Sequence, residues 1–329
     1  MKKDYINILI SSNDLGKRID VILSKKIDLF SRNRIKSLIH EKNVKFNEKL
    51  ITDQSHIIKS TGIIFVSIPK AKESHIEPIK MDLDILYEDK YLIVLNKKSG
   101  IVVHPGAGNK SNTLVNGLLY HCKNCLSDIG GVLRPGIIHR IDKMTSGILL
   151  VAKNNDVHNK LSNQFKKRTI SKKYICLSWN SMPRDNGTIR ENIARSKYNR
   201  KKMCVCNEDK GKMAITEYKL LNKFILRNNL SINFYECKLF TGRTHQIRVH
   251  FEYMGCPLVG DDLYKKKINL NKINVDILNV INENFIFSQR QALHSKSITF
   301  FHPKRGIEMS FEAEIPDDFI KTLNILKKT

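Results

Sequence analysis

The stretch GIIHRIDKMTSGILLVAK, from Gly136 to Lys153, sets an arginine and an aspartate two residues apart between two apolar runs. In extended chain the side chains alternate, so Arg140 and Asp142 point to one side while Ile141 points to the other and anchors the segment in the core. Thr145, Ser146 and Gly147 supply a tight turn, and Ile148 to Ala152 reads as the next strand. A polar pair on such a scaffold is held still, as a reactive carboxylate requires. Taken alone, an Arg-x-Asp is equally a surface pair or a turn cap, so the neighbouring segments have to decide.

Those neighbours are rich in strands. LDILYEDKYLIVLNKKSGIVVHPG reads as two hairpin strands, with Tyr91 to Leu95 a buried run and Asn96 to Gly100 the turn before Ile101 to Val103. VHNKLSNQFKKR is a helix, with Val157, Leu161 and Phe165 one turn apart, and KKYICLSW, AITEYKLL, SINFYECKLF and SITFFHP are further strands. Few strand–helix–strand alternations occur, so residues 82–326 form an α+β domain on a mixed, largely antiparallel sheet.

Residues 15–68 read as a separate small α/β unit. GKRIDVILSKKI carries Ile19, Ile22, Leu23 and Ile27 at helical spacing; Ser31 is positioned to cap a second helix, whose buried face is Ile35, Leu38 and Ile39. The other face of that helix is basic, with Arg32, Arg34 and Lys36. NVKFNEKLI alternates about an Asn47–Glu48 turn, and TGIIFVSI is a short strand. Residues 69–81, with two prolines and no apolar period, read as a linker.

Fifty-seven Lys and Arg against 32 Asp and Glu leave a net charge of +25, which attracts polyanions, nucleic acid foremost. The same excess also fits lysines drifting onto a solvated surface, so the placement of the charges must decide. The basic start is followed by Asp4 and only a short apolar run, which does not read as a signal peptide. The longest apolar stretches fall far short of the roughly 20 residues of a membrane span. Seven scattered cysteines suggest no disulfide framework, and a reducing cytoplasm is the expected compartment.

Beyond Arg140 and Asp142, two segments could carry chemistry. In LFTGRTHQIRVHFEYMG, Thr244 is expected to cap a helix burying Ile247, Phe251 and Met254, with Gly255 ending it. Its start gathers Arg243, Thr244, His245, Gln246 and Arg248, a good anion site. His245 and His250 are five apart, on different helix faces, and the glutamate of the metalloprotease pattern is absent. In FKKRTISKKYICL, Lys172 and Lys173 flank Tyr174, an aromatic among cations suited to stacking a base; a half-buried sheet tyrosine beside solvated lysines fits equally. Cys122 and Cys125 lack a second Cys-x-x-Cys at usable distance, and HPGAGN is neither a dinucleotide nor a P-loop pattern, so no metal or nucleotide cofactor is expected.

The amino-terminal segment RID…SRNRIKSLIHEKNVKFNEK resembles the S4 RNA-binding domain. HRIDKMTSG, SKKY after a basic helix end, and TGRTHQIRVH together resemble the motif set of the RluA-type ribosomal RNA pseudouridine synthases, in that family's order and over nearly the whole chain. VVHPGAGN and QALHSKSITFFHP make the chain most similar to the D-type branch acting on the large ribosomal subunit. Ile141 stands where leucine is commoner, and KKKINLNKINVDILNVINENFIF is diverged.

The resemblance implies a pseudouridine synthase fold and an isomerase that breaks the N1–C1′ bond of a uridine, turns the uracil and joins its C5 to C1′, without cofactor or metal. It implies that Asp142 is catalytic, as nucleophile or as base toward a sugar proton, either of which suits a carboxylate. It further implies that Arg248 pairs with and aims Asp142, that Tyr174 stacks on the uracil, and that Arg140 fills the space left by the flipped base. Arg243, Thr244, His245 and Gln246 are expected to position RNA or support the aspartate. The implied partner is large-subunit RNA, free or in an assembling ribosomal subunit, with the target in a stem-loop near the decoding region and the enzyme a monomer. The competing class is a noncatalytic RNA-binding protein, which would not require a lone acid in a basic groove. A metal-dependent RNA hydrolase lacks the clustered ligands such sites use.

Overall fold

The computed structural model describes residues 5–27, 30, 32–68, 76–106, 108–109, 111–123, 125–131, 133–207, 210–226, 230–265, 268 and 273–328. The chain divides into two compact units, Met1–Glu73 and Ser74–Thr329. Ser31, the expected cap, and residues 69–75 of the expected linker lie outside the described residues.

The first unit packs two helices, α1 (Ile19–Lys26) and α2 (Arg32–His40), on a four-stranded sheet of β1 (Tyr5–Ile10), β2 (Val44–Phe46), β3 (Lys49–Leu50) and β4 (Gly62–Ser67) in the order β1-β4-β2-β3. Alternation decides which sheet face is covered: Ile8, Ile10, Val44, Phe46, Ile64 and Val66 turn inward onto Ile19, Ile22, Leu23, Ile35, Leu38 and Ile39. Asn47 and Glu48 both have positive φ, 44° and 65°, which suits a two-residue hairpin turn between β2 and β3. Lys36 is half-buried on α2, where Arg32 and Arg34 occupy the first turn. The strand β1 was not among the expected elements.

The second unit is built on ten strands: β5 (Ile85–Glu88), β6 (Leu92–Lys97), β7 (Ser146–Ala152), β8 (Ser171–Trp179), β9 (Asn186–Arg195), β10 (Met203–Cys206), β11 (Lys212–Ile225), β12 (Ser231–Leu239), β13 (Leu293–Phe301) and β14 (Glu308–Glu312). Their order is β10-β9-β11-β12-β8-β13-β7-β6-β5, with β14 also on β13. All pairings are antiparallel except β7 with β13, so the sheet is mixed and largely antiparallel, as expected. One face buries α3 (Leu114–Cys122) and α5 (Gln246–Tyr253) around Val115, Leu118, Ile247 and Phe251. The other face carries α4 (Asn155–Lys167) through Val157 and Leu161. It also carries α6 (Val275–Ile281) and α7 (Asp317–Leu326) through Ile277, Ile281, Phe319 and Leu323. No helix among the described residues is long and apolar enough to cross a membrane.

One expected hairpin is displaced. The turn lies at Asp89–Tyr91 between β5 and β6, and Ile101 to Val103 is not a strand. Its carbonyls are used instead to start α3: Val102 and Val103 accept from the amides of Leu114 and Val115.

The short parallel junction of β7 and β13 pairs Ser146 and Gly147 with His294 and Ser295. Gly147 has φ +107°, and a Cβ there would lie 2.2 Å from the Ser295 carbonyl oxygen, so only glycine lets the strands approach. Beside it, Ser146 Oγ accepts from Arg290 Nη2 at 3.1 Å and so gives its own hydrogen to His294 Nδ1 at 2.9 Å. Burial pushes the His294 pKa down to about 3, with the charges of Lys296 and Arg290 adding to the shift. An unfolded histidine titrates near 6.5, so between pH 6.5 and 3 the unfolded chain binds the extra proton. This contribution is therefore absent above pH 6.5 and destabilises as pH falls below it. Urea unfolding of wild type and His294→Asn, which keeps an acceptor near Nδ1, should show a smaller loss of stability from pH 7 to pH 5 in the variant. An identical loss in both would show that His294 does not titrate on unfolding.

Candidate active site

The expected site residues converge where the beginnings of β7 and β8 meet the end of β12. A cleft of about 450 Å³ there is lined by Arg140, Asp142, Tyr174, Arg243, Thr244, His245, Gln246 and Arg248, together with Lys172, Lys166 and Phe165. Among these described lining side chains Asp142 is the one carboxylate.

The 140–142 segment alternates as the sequence suggests: Ile141 is buried, Arg140 exposed and Asp142 half-buried. The turn that follows is gripped from several sides. Lys97 Nζ and Gly100 N both donate to the Lys143 carbonyl at 3.0 Å, Ser99 Oγ donates to Met144 O at 2.8 Å, and Thr145 N donates to Asp142 O at 3.1 Å. The buried Lys97 spends its other donors on the carbonyls of Lys98 and Ile101, so all three protons of an ammonium are used. Burial lowers the Lys97 pKa to about 7; the charge of Arg290 adds to this and that of Asp142 opposes it.

Arg248 reaches across from α5. Its Nη1 donates to Asp142 Oδ2 at 2.9 Å, while Nε and Nη2 hold Asp261 in a fork at 2.7 and 2.9 Å. Burial works against the Arg248 charge, but the hydrogen bonds and charge of Asp261, then of Asp142, outweigh it and raise the pKa. Asp261 is itself buried and also accepts from the amides of Leu263 and Tyr264. Asp261 was not among the expected site residues; the acidic pair in GDDLY, shortly after a helix end, was its only trace in the sequence.

Tyr174 is buried with part of its surface on the cleft. Burial pushes its pKa up to about 12, a hydrogen bond with the Ser295 side chain opposing and the charge of Asp142 adding. Lys172 shares its strand face and lies 5.4 Å over the Phe165 ring, with burial lowering its pKa to about 8. Lys173, expected with it, points to the opposite face by strand alternation and pairs with Glu236 at 3.1 Å. At the rim, Arg140 Nη1 lies 3.3 Å from His104 Nε2, which places the HPG segment beside the site.

The start of α5 departs from expectation. Thr244 is exposed and caps nothing; His245 occupies the cap position with φ +56° and no side-chain cap bond. Gln246 does the local work: its Oε1 accepts from Arg243 N at 3.0 Å and Thr241 Oγ1 at 2.8 Å, and its Nε2 donates to Ile215 O and Thr216 Oγ1. A side chain so committed braces the turn and has no donor left for RNA. Arg243 lines the cleft and spends Nε on the Met213 carbonyl at 3.1 Å. His250 is buried against Thr216, away from His245. All seven cysteines are free thiols, and among the described residues no three His, Cys, Asp or Glu gather as metal ligands.

The family model for RNA pseudouridylate synthase matches residues 91–253, which include Asp142, Tyr174 and Arg248. The chain is 41% identical to the ribosomal large subunit pseudouridine synthase D of Zymomonas mobilis, covering 94% of each chain. It is 38% identical to the uncharacterized RNA pseudouridine synthase YlyB of Bacillus subtilis, over 99% of each. The chain belongs to the RNA pseudouridylate synthase family. The fold agrees: the solved structure of human RNA pseudouridylate synthase domain containing 4 is similar at a TM-score of 0.55 and 24% identity, over 74% of this chain and 93% of that one. Asp261 and Tyr264 lie beyond the segment that the family model matches.

The double use of Arg248 predicts an asymmetry between two adjacent acids. Asp261→Ala leaves a buried guanidinium short of its main partner and should cost about 3–5 kcal/mol. Asp262→Ala, which removes an exposed pair with Lys265, should stay within about 0.5 kcal/mol. Urea unfolding followed by the single tryptophan, Trp179 on β8, reads both; equal effects would refute the role given to Asp261.

Proposed function

We propose that this chain converts specific uridines to pseudouridine in large-subunit ribosomal RNA, with Asp142 as the reacting carboxylate. The observation that carries the reading is the Asp142–Arg248 pair, 2.9 Å apart in a cation-lined cleft, in a member of this family. The reaction is an isomerisation: the C1′–N1 bond breaks, a C1′–C5 bond forms, C5 gives up its proton and the freed N1 takes one up, with no net oxidation and no co-substrate.

The target base leaves the RNA stack at a cost of a few kcal/mol. Tyr174 offers its ring to the uracil, and the exposed Arg140 at the rim enters the space the base vacates. Lys172, Lys166 and Arg243 line the walls, where they neutralise phosphates on either side of the extruded nucleotide. Attack on the sugar and removal of a sugar proton both require a carboxylate fixed beside the ribose. The grip on residues 143–145 and the fork through Arg248 give Asp142 that fixity. The first unit, by its resemblance to the S4 domain and the basic sequence Arg32, Arg34, Lys36 of α2, serves as a second RNA contact. The resemblance to the D-type branch supports a target stem-loop near the decoding region.

Incubation of unmodified large-subunit RNA with wild type and Asp142→Asn, followed by pseudouridine mapping, tests the proposal. Wild type should modify the RNA and the variant should not, at least about 10³-fold slower, while binding it with affinity within a few-fold. Equal activity in both would refute the assignment of Asp142. Binding without modification by wild type would make the chain an RNA-binding protein instead.

A further inference from the structure

We infer that His245 presents a fixed Nε2–H donor beside Asp142, aimed at uracil O2 as the glycosidic bond breaks, and that Tyr264 is the positioning residue that fixes it. The inference rests on Asp142 being the reacting carboxylate.

The order of hydrogen bonds decides which imidazole nitrogen carries the proton. The Tyr264 hydroxyl oxygen accepts from the Met203 amide at 2.8 Å and lies 2.9 Å from His245 Nδ1. Were Nδ1 protonated, this buried hydroxyl would face two donors and have no acceptor for its own hydrogen among those contacts. The arrangement that satisfies every group has Tyr264 donate to Nδ1, which puts the single ring hydrogen of a neutral imidazole on Nε2. Burial lowers the His245 pKa, against the opposing charge of Asp142, so the ring is neutral at pH 7 and its tautomer sets what it offers.

Nε2 lies 3.8 Å from Asp142 Oδ1, beyond hydrogen-bond reach, and both groups line the cleft. The donor is thus held beside the carboxylate without being consumed by it. Two features keep it there. His245 has φ +56°, a conformation with a real cost for a residue other than glycine, at the turn braced by Gln246. Tyr264 meets the ring edge-on at 5.6 Å and takes the Arg248 guanidinium over its own ring at 5.0 Å, so one side chain packs both neighbours of Asp142.

When C1′–N1 breaks, the electron pair of that bond passes to the uracil and spreads over N1 and the carbonyl oxygens. O2 is adjacent to N1 and therefore close to the sugar carbon that Asp142 faces. A preorganised neutral donor there stabilises the developing charge and keeps its proton throughout.

Single-turnover rates and RNA affinities of His245→Met, His245→Gln and Tyr264→Phe test this. Met and Gln bear the same left-handed backbone cost, but only Gln keeps an N–H near the Nε2 position. His245→Met should lose about 100-fold in rate with affinity within a few-fold, and Gln should restore about ten-fold of that. Nitrogen-15 spectra of histidine-labelled protein at pH 7 should show His245 as the Nε2–H tautomer, with the signature lost in Tyr264→Phe. A wild-type rate for His245→Met, or an Nδ1–H or charged ring in wild type, overturns the inference, and the wild-type spectrum decides should the variants not fold. Asp142→Asn runs alongside: inactive wild type would refute the functional reading, whereas active wild type, inactive Asp142→Asn and undiminished His245→Met would refute this inference alone.

Discussion

One guanidinium shared between two carboxylates holds the site together. Arg248 uses its fork on Asp261, which is buried and further tied by two backbone amides, and has one nitrogen left for Asp142. Placing an arginine on the buried side of α5 is expensive unless its charge is matched, and Asp261 supplies that match. Asp142 then receives a cation already fixed in direction, so the half-buried carboxylate is aimed without being the group that solvates Arg248. Removing either acid therefore has different consequences: without Asp261 the buried guanidinium loses its main partner, whereas without Asp142 it keeps that partner.

The sheet supplies the second constraint. Asp142 sits just before β7, whose parallel junction with β13 is made close by Gly147. The turn between them is fastened to β6 through Lys97 and to the start of β13 through Gln291, which donates to Thr145 at 2.9 Å. Arg290 adds Ser146 to this set and binds Asp318 on α7, so a helix on the far face of the sheet contributes to holding the loop. Preorganisation of Asp142 is thus a property of three strands, β6, β7 and β13, and two helices, α5 and α7, rather than of a local motif.

Much of this was legible in the chain itself because the strand signals are strong. Ile148 to Ala152 and the alternation about Ile141 follow directly from apolar pattern, as do α1, α4 and the buried face of α5. The less legible parts depend on contacts between distant residues. Asp261 carries no periodic signal and gains meaning only when the chain after α5 folds back on Arg248. Thr244 has the chemistry of a cap, yet Gln246 takes the local donors because its amide can satisfy two turns at once. Lys173 looks like the twin of Lys172, but strand alternation sends it to Glu236 on the other face. Ile101 to Val103 has strand composition and is diverted because the start of α3 needs its carbonyls. The strand β9 is hard to read because NGTIRENIAR is polar on one side and weakly apolar on the other, and β10, MCVC, is only four residues long.

The central claim is that Arg248 acts through its geometry and not merely its charge. Arg248→Lys keeps the charge but cannot bridge Asp261 and Asp142 at once. Single-turnover pseudouridine formation and RNA affinity measured together test it most directly: the rate should fall at least about 100-fold while affinity changes by no more than a few-fold. A lysine variant that retains the wild-type rate, or one whose whole defect lies in RNA affinity, would contradict the account.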